Sequence, residues 1–122
     1  MGSDSAGSDS AGSTPVPGRP VRGSTTGRPV MAALDLLGRR WTLRVIWELH
    51  RHTAPIGFRD LQRSCDGMSS SVLSTRLTEL REAGIAAPAA ESTWQLTPLG
   101  TDLVTAMGPL LEWSRVWAEQ QK

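Results

Sequence analysis

Residues 58–84, FRDLQRSCDGMSSSVLSTRLTELREAG, hold two helix-sized segments separated by a turn. Phe58, Leu61 and Cys65 recur at the spacing of one helix face, and Asp66-Gly67 ends that segment. Ser69 is placed to cap a following helix whose apolar line is Leu73, Leu77 and Leu80, with Gly84 closing it. At about 100° per residue, the opposite face carries Ser71, Thr75, Thr78 and Glu82. Ser70, Ser74 and Arg81 follow one shoulder, and Arg76 lies nearer the core on the other. Such a helix can pack against a core along its leucines and still offer short hydroxyl side chains to a groove.

Upstream, Pro29 suits a first helical position, Val30, Leu34 and Leu37 recur at i, i+4 and i+7, and Gly38 supplies a stop. Residues 39–50 carry Trp41, Leu43, Val45, Ile46, Trp47 and Leu49 on nearly every side, which predicts a central helix enclosed by neighbours. Pro55 and Gly57 then break the chain before Phe58. Downstream, residues 85–90 and 93–96 predict two short strands around Glu91-Ser92, with Trp94 and Leu96 on one face. Thr97-Pro98 opens a last helical stretch in which Leu99, Leu103, Ala106, Leu110, Trp113 and Trp117 follow a heptad seam. Gly108-Pro109 predicts a kink or break within it, because Pro109 removes a backbone donor and crowds the preceding turn.

The expected architecture is therefore mainly α with a small β-hairpin wing, in the order of a winged helix-turn-helix domain. Several separated motifs resemble the HxlR-type transcriptional regulators of bacteria. They are the run from Pro29 to Leu43, Phe58-Arg59-Asp60-Leu61, Gly67-Met68-Ser69, Leu73-Ser74-Thr75-Arg76-Leu77, Leu80, Gly84-Ile85 and Leu96-Thr97-Pro98-Leu99-Gly100. The resemblance covers residues 28–117. It implies a homodimer on operator DNA, with the helix from Ser69 to Ala83 reading the duplex and the hairpin as its wing. It also implies dimerisation through the first and last helices, which carry Val30, Leu34, Leu103, Leu110, Trp113 and Trp117.

Two departures from the family pattern bear on function. Many members have a cysteine before the Pro-Val pair, where this chain has Arg28, so thiol sensing by that route is lost. The hairpin, residues 88–93, is short and carries Glu91 near its tip where basic residues are usual.

The DNA-contacting set predicted on this basis is Ser69, Ser70, Ser71, Ser74 and Thr75 near the helix start, with Arg40, Arg59 and Arg76 toward phosphates. The bland alternative makes the serines capping residues and the arginines solvated or paired. Arg63, Arg40 and Arg81 have Asp60, Asp66 or Glu79 as available partners. Five tryptophans stand beside one Phe and no Tyr. Packing is their default role. The sharper alternative gathers Trp41, Trp47, Trp113 and Trp117 into a pocket for a small aromatic or hydrophobic effector.

Composition narrows the remaining classes. The chain has 122 residues, room for one small domain, and a net charge of +1. The charge is uneven: residues 39–81 carry eight Arg against four acids, whereas residues 82–122 carry two basic residues against five acids. Residues 1–27, rich in Gly and Ser and lacking Leu, Ile, Phe and Trp, are predicted to be a disordered tail whose Arg19, Arg22 and Arg28 could touch phosphates. The domain proper is residues 28–122. No signal peptide or membrane-spanning run is recognised, and a single cysteine, Cys65, is expected to be buried and unreactive, so the expected location is the cytoplasm, on the nucleoid. His50 and His52 fall on different helix faces without a completing cluster, so no metal or other cofactor is expected. No catalytic motif is recognised, and the chain is expected not to be an enzyme. The rival readings to a homodimeric repressor are a winged-helix protein-interaction module and a small-molecule sensor with little DNA affinity.

Overall fold

The computed structural model describes residues 14–18 and 28–122. Apart from Arg28, the tail's predicted phosphate contacts, Arg19 and Arg22, lie outside the described residues, as do most of the residues predicted to be disordered. Among the described residues, six α-helices and three short strands follow in order: α1 (Pro29–Leu37), α2 (Thr42–Arg51), β1 (Ile56–Gly57), α3 (Phe58–Ser64), α4 (Ser70–Glu82), β2 (Ala86–Ala89), β3 (Thr93–Leu96), α5 (Pro98–Ala106) and α6 (Gly108–Gln120), with a 3-10 turn at Ala90–Ser92 joining β2 to β3. The strands form an antiparallel sheet in the order β1-β3-β2, with Ile56 opposite Trp94 and Ala86 opposite Leu96. A mainly helical domain with a small wing is the expected fold class, and the wing has the expected pair of strands. The third strand, β1, is an addition. Two residues are too few for an alternating pattern, so only tertiary pairing with β3 reveals it.

The core is built from Val45, Ile46 and Leu49 of α2, Leu61 of α3, and Leu73, Leu77 and Leu80 of α4, closed by Ile56, Cys65, Met68, Ile85, Ala86 and Val104. The leucine line of α4 is thus buried as its spacing predicts. The expectation that α2 is enclosed on every side is corrected. Leu43 and Trp47 are exposed, so α2 is a one-sided helix. It begins at Thr42 because Trp41 takes a left-handed backbone conformation, φ 76°, which a helix cannot continue through.

On α1 the buried residues are Ala32 and Leu36, while Val30 and Leu34 stand outward, each 60 % exposed. The stripe read from Val30 and Leu34 is therefore not the face packed in the single chain. The break predicted at Gly108-Pro109 separates α5 from α6 at Met107, whose N–H closes the last turn of α5.

One junction orders the second half of the chain. Gly84, at φ 80°, ends α4, and the Thr97 hydroxyl donates to the Gly84 carbonyl at 2.6 Å while accepting from the Gly100 N–H at 3.1 Å. Gly100 passes so close to residue 85 that an added Cβ would lie 2.2 Å from the Ile85 carbonyl oxygen. The start of α5 is thereby locked against the root of the wing. Ahead of α1, Pro15 is buried and the Thr14 hydroxyl donates to the Glu82 carboxylate, which ties Thr14 to the end of α4.

Candidate nucleic-acid interface

The turn between α3 and α4 follows from its residues. Gly67 at φ 90° reverses the chain, and the Gln62 side-chain amide donates to the Met68 carbonyl at 3.1 Å, pinning the turn to α3. The Ser69 hydroxyl accepts from the Val72 N–H at 3.2 Å, the N-cap predicted from sequence. Below the turn, Arg44 of α2 donates to the Ser64 carbonyl at 2.8 Å and to Glu48 at 3.0 Å. Arg51 donates to the other oxygen of Glu48 at 2.9 Å. Glu48 is only 2 % exposed, so two guanidinium partners compensate a carboxylate taken out of water. Cys65 lies in the same region, fully buried. Burial and then the charge of Glu48 push its thiol up to about 11, despite the opposing effect of Arg44.

With Leu73, Leu77 and Leu80 facing inward, α4 turns Ser70, Ser71, Ser74, Thr75 and Thr78 to solvent. The Ser69 and Ser71 hydroxyl oxygens are 3.3 Å apart. The Thr75 hydroxyl donates to the Ser71 carbonyl and the Thr78 hydroxyl to the Ser74 carbonyl, each at 3.0 Å. Their protons are engaged along the helix, which leaves each threonine offering an acceptor oxygen and a methyl group. Ser70 and Ser74 keep hydroxyls whose protons can turn outward. The face therefore mixes donors, acceptors and methyls on side chains short enough to let the helix backbone approach a groove floor.

The arginines divide into two kinds. Arg59 and Arg40 are exposed, Arg59 in the first turn of α3 and Arg40 over the Trp41 ring at 5.7 Å. Arg76 is different: its side chain is 18 % exposed, its Nε donates to the Arg40 carbonyl at 2.8 Å, and its Nη1 donates to Glu79 at 2.5 Å. Glu79 also accepts from Arg39, and Arg39 lies 3.9 Å from Asp35. This network ties α1, the link into α2, and α4 together behind the hydroxyl face. Of the pairings open in the sequence, Arg63 takes Asp60 at 2.9 Å, on the surface. The Arg39–Glu79 link was not foreseen, because forty residues separate the partners. The Arg76–Glu79 pair has helical i,i+3 spacing, which could have signalled it.

The four tryptophans proposed for an effector pocket sit in separate settings. Trp41 packs against the core at the start of α2, Trp47 pairs with His50 on the exposed side of α2, and Trp113 stacks on Trp117 along α6 at 5.5 Å and 16°. At the tip of the wing Glu91 and Ser92 both have φ 60°, and Glu91 is exposed as expected from sequence. Among the described residues no group of three or more His, Cys, Asp and Glu could hold a metal ion. No helix among them is long and apolar enough to cross a membrane.

The helix-turn-helix arrangement agrees with comparison to known proteins. Residues 36–122 match the model of the HxlR-like helix-turn-helix. The chain belongs to the HxlR-like helix-turn-helix family. Among solved structures, it is similar to a possible HxlR family transcriptional factor from Thermoplasma volcanium GSS1, with 29 % identity, TM-score 0.64, and 71 % of this chain and 82 % of that one covered. A protein of Enterococcus faecalis V583 assigned to the MarR family of transcriptional regulators gives 26 %, 0.65, 75 % and 87 %. The quinone-bound YodB of B. subtilis gives 27 %, 0.60, 75 % and 94 %. No curated protein matches the chain. Membership of the HxlR-like family, with these neighbours, supports a DNA-binding transcriptional regulator rather than an enzyme.

Proposed function

We propose that the protein is a homodimeric transcriptional repressor that reads an inverted-repeat operator with two copies of α4. The observation that carries this reading is the bare hydroxyl face of α4, held from behind by three buried leucines and the Arg39–Glu79–Arg76 network. Ser69, Ser70, Ser71, Ser74 and Thr75 meet base edges and nearby phosphates. Arg59 and Arg40 hold phosphates, and Arg76 contributes from the flank while positioning α4. Short hydroxyls discriminate bases weakly, so part of the operator preference comes from DNA shape.

Pairing two copies is supported by the apolar residues left outside. Val30 and Leu34 on α1, with Leu110, Trp113 and Trp117 on α6, are each at least 55 % exposed, and half-buried Leu103 on α5 precedes the α6 residues in the heptad order. Such a surface is unusual for a protein that works alone. Two reading helices about 34 Å apart would match successive major grooves. Repression follows by occupying promoter DNA in the cytoplasm, at the nucleoid. A small aromatic or hydrophobic effector would modulate it, with Trp41, Trp47, Trp113 and Trp117 as candidate contacts once α6 is paired.

Selecting bound fragments from a random duplex pool with the purified protein tests the reading. An enriched inverted repeat, bound by two chains, is the expected outcome. Arg59→Ala should weaken all sequences alike and reduce the slope of log affinity against log salt by about one phosphate contact. Thr75→Ala should instead alter preference at particular base positions. Equal affinity for selected and random duplex would overturn the proposal.

A further inference from the structure

We propose that a cavity between α1 and α5 binds a small apolar molecule carrying one amine or similar N–H donor, with the chain's own Pro15–Pro17 segment as its outer wall. The cavity has a volume of about 370 Å³, within the range of small-molecule sites. It is lined by small side chains from three parts of the chain. Ala32 and Ala33 on α1, Ala83 after α4, and Ala106 on α5 leave room that larger residues would fill. Leu36 and Leu103 supply apolar walls.

Residues 15–17 line the same space, and they are fastened beside it. Pro15 is buried, and the neighbouring Thr14 hydroxyl bonds to Glu82 at the end of α4. A proline-rich wall has little conformational freedom to lose when a ligand binds against it. The lining is almost wholly apolar, and Asp102, exposed at the rim, is the one ionisable side chain on it. Among the described residues no hydrogen bond or ion pair engages the Asp102 carboxylate. An apolar body with a single donor or cationic group is the ligand chemistry that this lining complements. The site differs from the four-tryptophan pocket. It stands on the cavity alone, while its regulatory meaning, through Ala83 at the end of α4, rests on the DNA-binding reading.

The test uses the full chain without DNA, and N-phenyl-1-naphthylamine, whose fluorescence rises in apolar surroundings, as the probe. Saturable binding of one probe per chain is expected. Ala33→Phe and Ala106→Phe, at exposed positions where folding tolerates bulk, should each weaken binding at least tenfold. Val16→Asp should weaken it at least fivefold. The α6 variant Leu110→Asp, outside both candidate ligand sites, should leave it within twofold. As competitors, 1-naphthylmethylamine should surpass 1-naphthoate at least tenfold, a preference that Asp102→Asn should abolish. Absence of saturable binding, insensitivity to both phenylalanine variants, or loss of binding in the α6 variant overturns the proposal, the last by placing the probe at an interface between copies. Because no DNA is present, failure here leaves operator binding intact, and failure of operator binding leaves this result unchanged.

Discussion

α4 and α6 are both thirteen residues long, yet they relate to the rest of the chain in opposite ways. α4 buries Leu73, Leu77 and Leu80 and turns a polar face outward, whereas α6 has no buried residue and leaves Leu110, Trp113 and Trp117 more than half exposed. Both carry apolar residues at helical spacing. The difference is the availability of a facing surface: α4 packs on α2 and the root of the wing, while α6 extends past α5 from the Gly108-Pro109 break. A helix whose apolar side has a partner within the chain is finished by folding. One without such a partner is finished by assembly, which is why α6 belongs to the proposed dimer contact and α4 to the proposed reading surface.

The largest effect should come from removing a core leucine. Leu77→Ala is expected to lower stability by about 2–5 kcal/mol in urea unfolding. Leu110→Ala, measured on dilute, unassociated protein, should change it by under about 0.5 kcal/mol while weakening self-association in sedimentation. Equal costs for the two substitutions would break the contrast between the helices.

A smaller effect sharpens the account of how α4 is held. Glu79→Ala leaves the guanidiniums of Arg39 and Arg76, both largely shielded from water, without their shared carboxylate. About 1–3 kcal/mol of stability should be lost, with Glu79→Gln losing less because it keeps an acceptor oxygen. A cost as small as that of Arg115→Ala, which breaks the exposed Arg115–Glu112 pair on α6, would show that the network does not hold α4 in place.

The effect that is smallest near neutral pH concerns the sealed turn ahead of α4. The Cys65 thiol titrates at about 11 in the folded chain, above the value near 8.5 of an unfolded thiol. Between those values the unfolded state loses a proton that the folded state keeps. The thiol's contribution is therefore intact below about pH 8.5 and declines as pH rises toward 11. The urea midpoint of the parent should fall faster over that window than that of Cys65→Ala, and alkylation at pH 7.5 should be slow until the chain unfolds. Rapid alkylation of the native protein would mean that the turn opens readily.

Much of the candidate site was legible because it is local. The Ser69 cap, the turn at Gly67 and the outward serines and threonines follow from spacing along one helix, and they stand where that spacing puts them. The buried line of α1 was harder to read. Val30 and Leu34 are more hydrophobic than Ala32, yet the line turned inward is Ala32 and Leu36, and the more apolar-looking stripe is left outside. The role of Arg76 was only half visible, since its approach to Glu79 is local but its bond to the Arg40 carbonyl spans thirty-six residues. The cavity beside Pro15–Pro17 had no signal in any single segment.

By itself the sequence determined the order of the helices and of the two wing strands, the break before α6 and the hydroxyl character of α4, because periodicity, capping and proline act over a few residues. Only the tertiary structure decided which apolar stripe of α1 is buried, which carboxylate holds Arg39 and Arg76, and where alanines from separate elements leave space. Those outcomes depend on shape and charge brought together across long stretches of chain, where packing density and desolvation select among partners that local pattern leaves equivalent.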